Sequence, residues 1–221
     1  MQLPADSHVH SEWSWDTGGP QSDASGRMQQ TCARAEAIGL PALVFTEHLD
    51  FDARWRTTAA DLMPHQHHLL STDGYVRAPI LDLDGYLDSI ERCRHRFPEL
   101  RILTGVEFGQ PHLHEAQASY LLDLGVIDRV LGSLHTLEVG DDRSEPNTLF
   151  RKWGADEVMW LTSKRSRVWW LALRPSRCSP ISTTPCVHGR PKSPDLSIPA
   201  DSRTDSEMRC ALSPKAVGRS R

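Results

Sequence analysis

The sequence predicts an α/β protein: about four strand–helix units forming a parallel sheet, open or closed into a barrel, followed by a mostly irregular tail. Three observations carry this. Short apolar runs alternate with segments of helical periodicity over the first 160 residues. Charge then changes abruptly, with 13 basic and 25 acidic residues in positions 1–160 against 12 and 4 in positions 161–221. Histidines and carboxylates, finally, recur where the apolar runs end.

Residues 5–10 (ADSHVH) read as a short, rather polar strand, and residues 26–38, rich in Ala, Met and Gln, as a helix that Gly39 caps. The run 40–46 (LPALVFT) is a buried strand bounded by Gly39 and the polar Glu47-His48 pair. Leu83, Leu87, Ile90, Cys93 and Phe97 recur at steps of three and four, giving a helix that Pro98 stops. Residues 101–108 (RILTGVEF) and 129–134 (RVLGSL) are further strands, with a helix over 115–124 between them. From 161 to 221 there are 11 Ser and 7 Pro and neither Phe nor Tyr. Such a segment buries little apolar area against its ordering entropy, so only 168–173 is expected to form a short strand or a helical turn. It is either a natural basic tail or a sequence with which this fold did not evolve.

The 221 residues suffice for one domain of ordinary size. A formal net charge of −4 supplies no field for gripping a phosphate backbone, so nucleic acid is not an expected partner. The longest apolar stretches are about a third of the ~20 residues that cross a bilayer, so no membrane contact is expected. The N-terminus has no signal-peptide core, and a cytoplasmic location is the expectation. Five cysteines without CxxC spacing argue against a disulfide framework or a zinc knuckle.

Chemistry is concentrated at the strand ends. His8 and His10 end the first strand, His48 follows the second, Glu107 closes the third and His135 follows the fourth. In a parallel sheet all these ends open on one side, where α/β active sites lie. His8 and His10, two apart on an extended strand, face the same way and suit one metal ion. Asp16, in the loop after the first strand, can turn back over the same rim. Singly, each has an ordinary structural reading; together, four strands delivering ligand-type groups to one rim indicate a metal centre. His112 and His114 (PHLH) follow Glu107 in the same loop and could face a substrate, whereas His65, His67 and His68 (PHQHH) read as a solvated loop. Trp13 and Trp15 could wall the pocket or serve packing, and His95 lies on a charged helix face.

DSHVHSEWSWD, FTEH, GVEFG and GSLH, in this order, resemble the PHP (polymerase and histidinol phosphatase) family, most closely its histidinol-phosphatase branch, over about residues 1–160. The resemblance implies a distorted seven-stranded (β/α) barrel, here incomplete, with two or three divalent ions (Zn, Mn or Fe) at its rim. It implies that His8, His10 and Glu107 hold one ion, that Glu107 bridges to a second shared with His135, and that Asp16 with His48 holds a third. Glu107 and His135 are then the catalytic pair, and the activity is hydrolysis of a small phosphate ester, L-histidinol phosphate, in histidine biosynthesis. Another small phosphate ester or nucleotide, or a non-catalytic metal-binding remnant, are the alternatives. A later His and a final Asp-x-His of the family have no counterpart here. Their absence coincides with the break near residue 160, which points to a truncation or a reading-frame shift: a PHP-type domain over 1–160 and a basic Pro/Ser/Arg-rich tail over 161–221. A chain of this kind is expected to be poorly soluble or weakly active.

Overall fold

The computed structural model describes residues 3–22 and 26–172. Four strands, β1 (Asp6–Val9), β2 (Ala42–Leu49), β3 (Arg101–Gly109) and β4 (Arg129–Ser133), pair in chain order. All three pairings are parallel, and the sheet is a curled half-barrel. The connections carry α1 (Met28–Ile38), α2 (Leu83–Arg96) and α3 (Glu115–Asp123), as parallel strands require a crossover. A two-stranded antiparallel ribbon, β5 (Leu137–Val139) with β6 (Asp142–Ser144), follows, then α4 (Pro146–Leu149) and α5 (Ala155–Ala172).

Each helix is set by local chemistry. Gly39 ends α1 in the left-handed conformation (φ 75°), where its N–H reaches the carbonyls of Ala35 and Glu36. Asp82 caps α2 by accepting from the Gly85 N–H, and Arg94, His95 and Arg96 occupy its last turn, where cations oppose the helix dipole. The apolar stripe of α2 (Leu83, Tyr86, Ile90, Cys93) and that of α1 (Met28, Cys32, Ala35) pack with Leu43, Phe45, Ile102, Val106 and Phe108 of the sheet into one core.

Tyr86 ties this core to the ladder. Its hydroxyl donates to the Phe45 carbonyl (3.0 Å) and accepts from the Gly105 N–H (2.9 Å), inserting between β2 and β3. Tyr86→Phe strands both backbone groups in a dry interior. It should cost about 1–3 kcal/mol in urea denaturation; a loss within ±0.3 kcal/mol would show that another group, such as water, satisfies them.

Two sequence expectations need correction. The segment around 64–69 is a 3-10 helix (Pro64–Leu69), not a solvated loop. The region after 160 is not irregular from its start: α5 runs through the charge break to Ala172, because no proline intervenes between Pro146 and Pro175. The expectations for the rest of the tail lie outside the described residues. No helix among the described residues is long and apolar enough to cross a membrane.

Candidate metal centre

All six ligand candidates meet at the C-terminal rim of the sheet. β1 carries one residue more between Asp6 and Val9 than β2 does opposite, an irregularity of the kind that re-aims a side chain; His8 lies within it and His10 just beyond. The β2–β3 register sets His48 directly beside Glu107. Asp16 sits in a 3-10 turn, Trp15–Thr17, and His135 lies two residues past β4.

The loop bearing Asp16 is fastened on both sides. Glu47, fully buried in β2, accepts from the Ser11 N–H (2.9 Å) and hydroxyl (2.6 Å), and the His48 N–H donates to Ser14 Oγ (2.9 Å). Burial pushes the Glu47 carboxyl up to about 7 although both Ser11 bonds oppose it. From the other side the Gln66 amide donates to the Asp16 carbonyl (2.7 Å), and His65 Nε2 lies 2.9 Å from the same oxygen. His65 and Gln66 of the PHQHH segment thus hold the Asp16 loop, while His67 and His68 remain exposed.

At the centre, His8 Nε2 and His10 Nε2 each lie 2.9 Å from Glu107 Oε2 and 3.1 Å from one another. His135 Nε2 lies 3.0 Å from Glu107 Oε1, and His48 Nε2 lies 3.6 Å from Oε2. Asp16 Oδ2 is 3.1 Å from His10 Nδ1 and 3.9 Å from His48 Nε2. These contacts define three overlapping clusters, His8/His10/Glu107, His10/Asp16/His48 and His48/Glu107/His135; within each, the ligand atoms lie within 4.8 Å of one another. Glu107 is shared by two clusters, and so are His10 and His48.

The residues fit divalent ions. Ligand bonds of about 2.0–2.1 Å place neighbouring donors roughly 2.9 Å apart in an octahedron and roughly 3.3 Å apart in a tetrahedron. The 2.9, 2.9 and 3.1 Å edges of the first cluster match that scale. Asp16 Oδ1 is buried without a hydrogen-bond partner, a free acceptor at the rim. Imidazole and carboxylate together suit Zn, Mn or Fe.

Without ions, protons do the balancing. Burial lowers the His10 pKa, but Asp16 and Glu107 override it and raise it to about 10; His135, buried beside Asp50 and Glu107, is likewise raised to about 10. Glu107 is held far below the carboxylate range, because contacts with His10, His135 and Ser133 outweigh its burial. Folded-state pKa values above the unfolded ~6.5 contribute stability that is complete below pH ~6.5 and is lost as pH rises through about 10. The metal-free protein should therefore lose thermal stability from pH 7 to 10, while metal affinity rises over the same interval as protons stop competing. Thermal melts and chelator-competition titrations at matched pH check this; parallel trends would contradict it.

Residues beyond the six ligand candidates complete the surroundings. Asp50, just past β2, contacts His135, His48 and Trp15 from behind. Trp15 packs edge-on against Trp55 at 5.6 Å. A recess of about 360 Å³ opens beside His48 and His135, bordered also by Trp15, Trp55, Asp61, Gln66 and Glu145. His112 and His114 do not border it; the His114 ring packs against Phe51 at 5.8 Å, and burial pushes its pKa down. His95 lies on the exposed face of α2.

The PHP domain family matches residues 6–194, and the chain belongs to that family. Solved structures that resemble it include the following two. One is histidinol phosphate phosphatase from Lactococcus lactis, in complex with zinc, L-histidinol and phosphate: 24% identical, TM-score 0.43, covering 62% of this chain and 41% of that one. The other is a candidate histidinol phosphatase from Listeria monocytogenes: 16% identical, TM-score 0.48, covering 70% of this chain and 51% of that one. The chain thus spans about half or less of the length of either. No curated protein matches it.

Proposed function

We propose that the chain is a metal-dependent phosphomonoesterase whose substrate is L-histidinol phosphate, hydrolysed to L-histidinol and phosphate in histidine biosynthesis. The observation that carries the reading is the sharing of Glu107. Its Oε2 meets His8 and His10 while its Oε1 meets His135, so one buried carboxylate belongs to two clusters at once. On this reading His8, His10, Asp16, His48, Glu107 and His135 hold two or three divalent ions, and Glu107 and His135 are the catalytic residues. Bound there, the ions supply Lewis acidity to the phosphoryl oxygens and lower the pKa of water toward neutrality.

The chain's own groups orient the substrate. His135 belongs to a cluster and also borders the recess, so a phosphate at the cluster extends its ester group into that recess. Trp15 and Trp55 give the recess an aromatic wall, and Asp61, paired with Arg151, and Glu145, whose carboxyl burial pushes up, place carboxyl oxygens on its border. A monoester with an ammonium at its far end suits this lining of indole faces and carboxyl oxygens, which offers a second phosphate no Lys or Arg. This supports an amine-bearing substrate over nucleotides.

The test is a substrate panel of L-histidinol phosphate, nucleotides and sugar phosphates, run with Zn²⁺, Mn²⁺ or Fe²⁺, with bound metal quantified by mass spectrometry. Fastest phosphate release from L-histidinol phosphate is expected. Preference for another ester would overturn the substrate; bound metal without turnover would leave a metal-binding protein; absence of bound metal would overturn the reading whole.

A further inference from the structure

One carboxylate lies behind two of the imidazoles that converge on Glu107. Asp50 follows β2 with its side chain 3% exposed. Its Oδ1 is 2.7 Å from His135 Nδ1, its Oδ2 is 3.3 Å from His48 Nδ1, and Oδ2 also accepts from the Trp15 indole N–H (2.9 Å). On the opposite edge of each ring, Nε2 points to Glu107. A neutral imidazole has a single N–H, and an acceptor-only carboxylate at Nδ1 keeps the proton there, leaving the Nε2 lone pair for a ligand bond.

We propose that Asp50 is the shared positioning residue of the metal centre, a single carboxylate that fixes ring orientation and tautomer in both His48 and His135. The inference rests on the metal-centre reading above. Hydrogen bonds with His135 Nδ1 and the Trp15 indole N–H, together with His48 Nδ1 at 3.3 Å, which is buried with no hydrogen-bond partner of its own, compensate the burial of this one side chain; an isolated carboxylate there would be costly. The backbone opposite makes room for the arrangement. A Cβ at Gly109 would collide with Asp50 Oδ1 and press on His135 Nδ1, so the second glycine of GVEFG is required by this contact. Because His48 belongs to two clusters and His135 to one of them, Asp50 ties the filling of those two clusters together. The His8/His10/Glu107 cluster has no contact with it among the described residues.

The amide makes a discriminating substitution. Asp50→Asn keeps the shape but turns an NH2 toward one ring, which then accepts at Nδ1 and carries its proton on Nε2, withdrawing the ligand lone pair. The experiment uses the full chain, loaded with Zn²⁺ alone. In the wild type, long-range 1H–15N spectra should show both His48 and His135 protonated at Nδ1. In Asp50→Asn, chelator competition should show a weakening of about 10–100-fold for the zinc that depends on these rings, with zinc at His8/His10/Glu107 held as before. Nδ1 ligation by either ring in the wild type would overturn the proposal without any variant. So would unchanged zinc binding by a folded Asp50→Asn. Failure of the wild type to take up zinc would overturn the metal-centre reading and this role with it, so the two failures are distinguishable.

Discussion

Glu107→Gln should abolish activity and strip metal together. The amide removes the charge that Glu107 places beside His8, His10 and His135, and it presents an NH2, which cannot ligate a cation, in place of one carboxylate oxygen. Loss of an outer hydrogen-bond partner alone costs roughly 10–100-fold in metal affinity, so loss of the shared carboxylate should cost on the order of 100-fold or more. Equilibrium dialysis with metal analysis, beside phosphate-release assays, reads both effects. The comparison is His95→Ala, on the exposed face of α2, which should change neither. Similar losses from the two substitutions would place the function away from this rim.

The second large effect is on stability. Arg143, in β6, is 2% exposed, and its Nε lies 2.7 Å from Asp52 Oδ2. The guanidinium also donates to the hydroxyl (2.9 Å) and carbonyl (2.8 Å) of Thr136, the residue after His135. Arg143→Met leaves the Asp52 carboxylate buried without its cation and should cost roughly 3–5 kcal/mol. Replacing both partners, Arg143→Met with Asp52→Leu, should restore much of this, because it removes the stranded charge as well. Urea denaturation of the two variants decides the matter; a single-variant cost below about 1 kcal/mol would show that the pair is effectively solvated.

The elements legible in the sequence are those whose signal is local. β2 and β3 are apolar runs that need both faces covered, and α2 carries its stripe and its caps within its own residues. The ligand set was legible because each member ends a separate strand, and parallel topology alone brings strand ends together. What escaped depends on a distant partner. Asp50 and Glu47 look like ordinary polar residues until the imidazoles and Ser11 surround them. His65 and Gln66 bind a backbone carbonyl about 50 positions earlier, which no composition reveals. β5 and β6 have three residues each, too few to establish a period. The run of α5 past residue 160 escapes because the composition of 161–221 taken as a whole masks its first turns, which hold no proline before Pro175.

The sheet is ordered as the chain is ordered, β1 to β4, and this gives the candidate metal centre a birth sequence. On a chain emerging from the ribosome, His10, Asp16 and His48 are all present once β2 is made, whereas His8 waits until β3 docks on β2 and brings Glu107 to it and to His10. His135 comes 28 residues after Glu107, a delay of roughly 1.5–6 s at 5–20 residues per second. The His8/His10/Glu107 cluster can therefore close around an ion while His135, the last partner of the His48/Glu107/His135 cluster, is still being made. An ion caught there would clamp β1 to β3 across β2 and steady the surface that β4 must find, so that the order of translation becomes an order of loading.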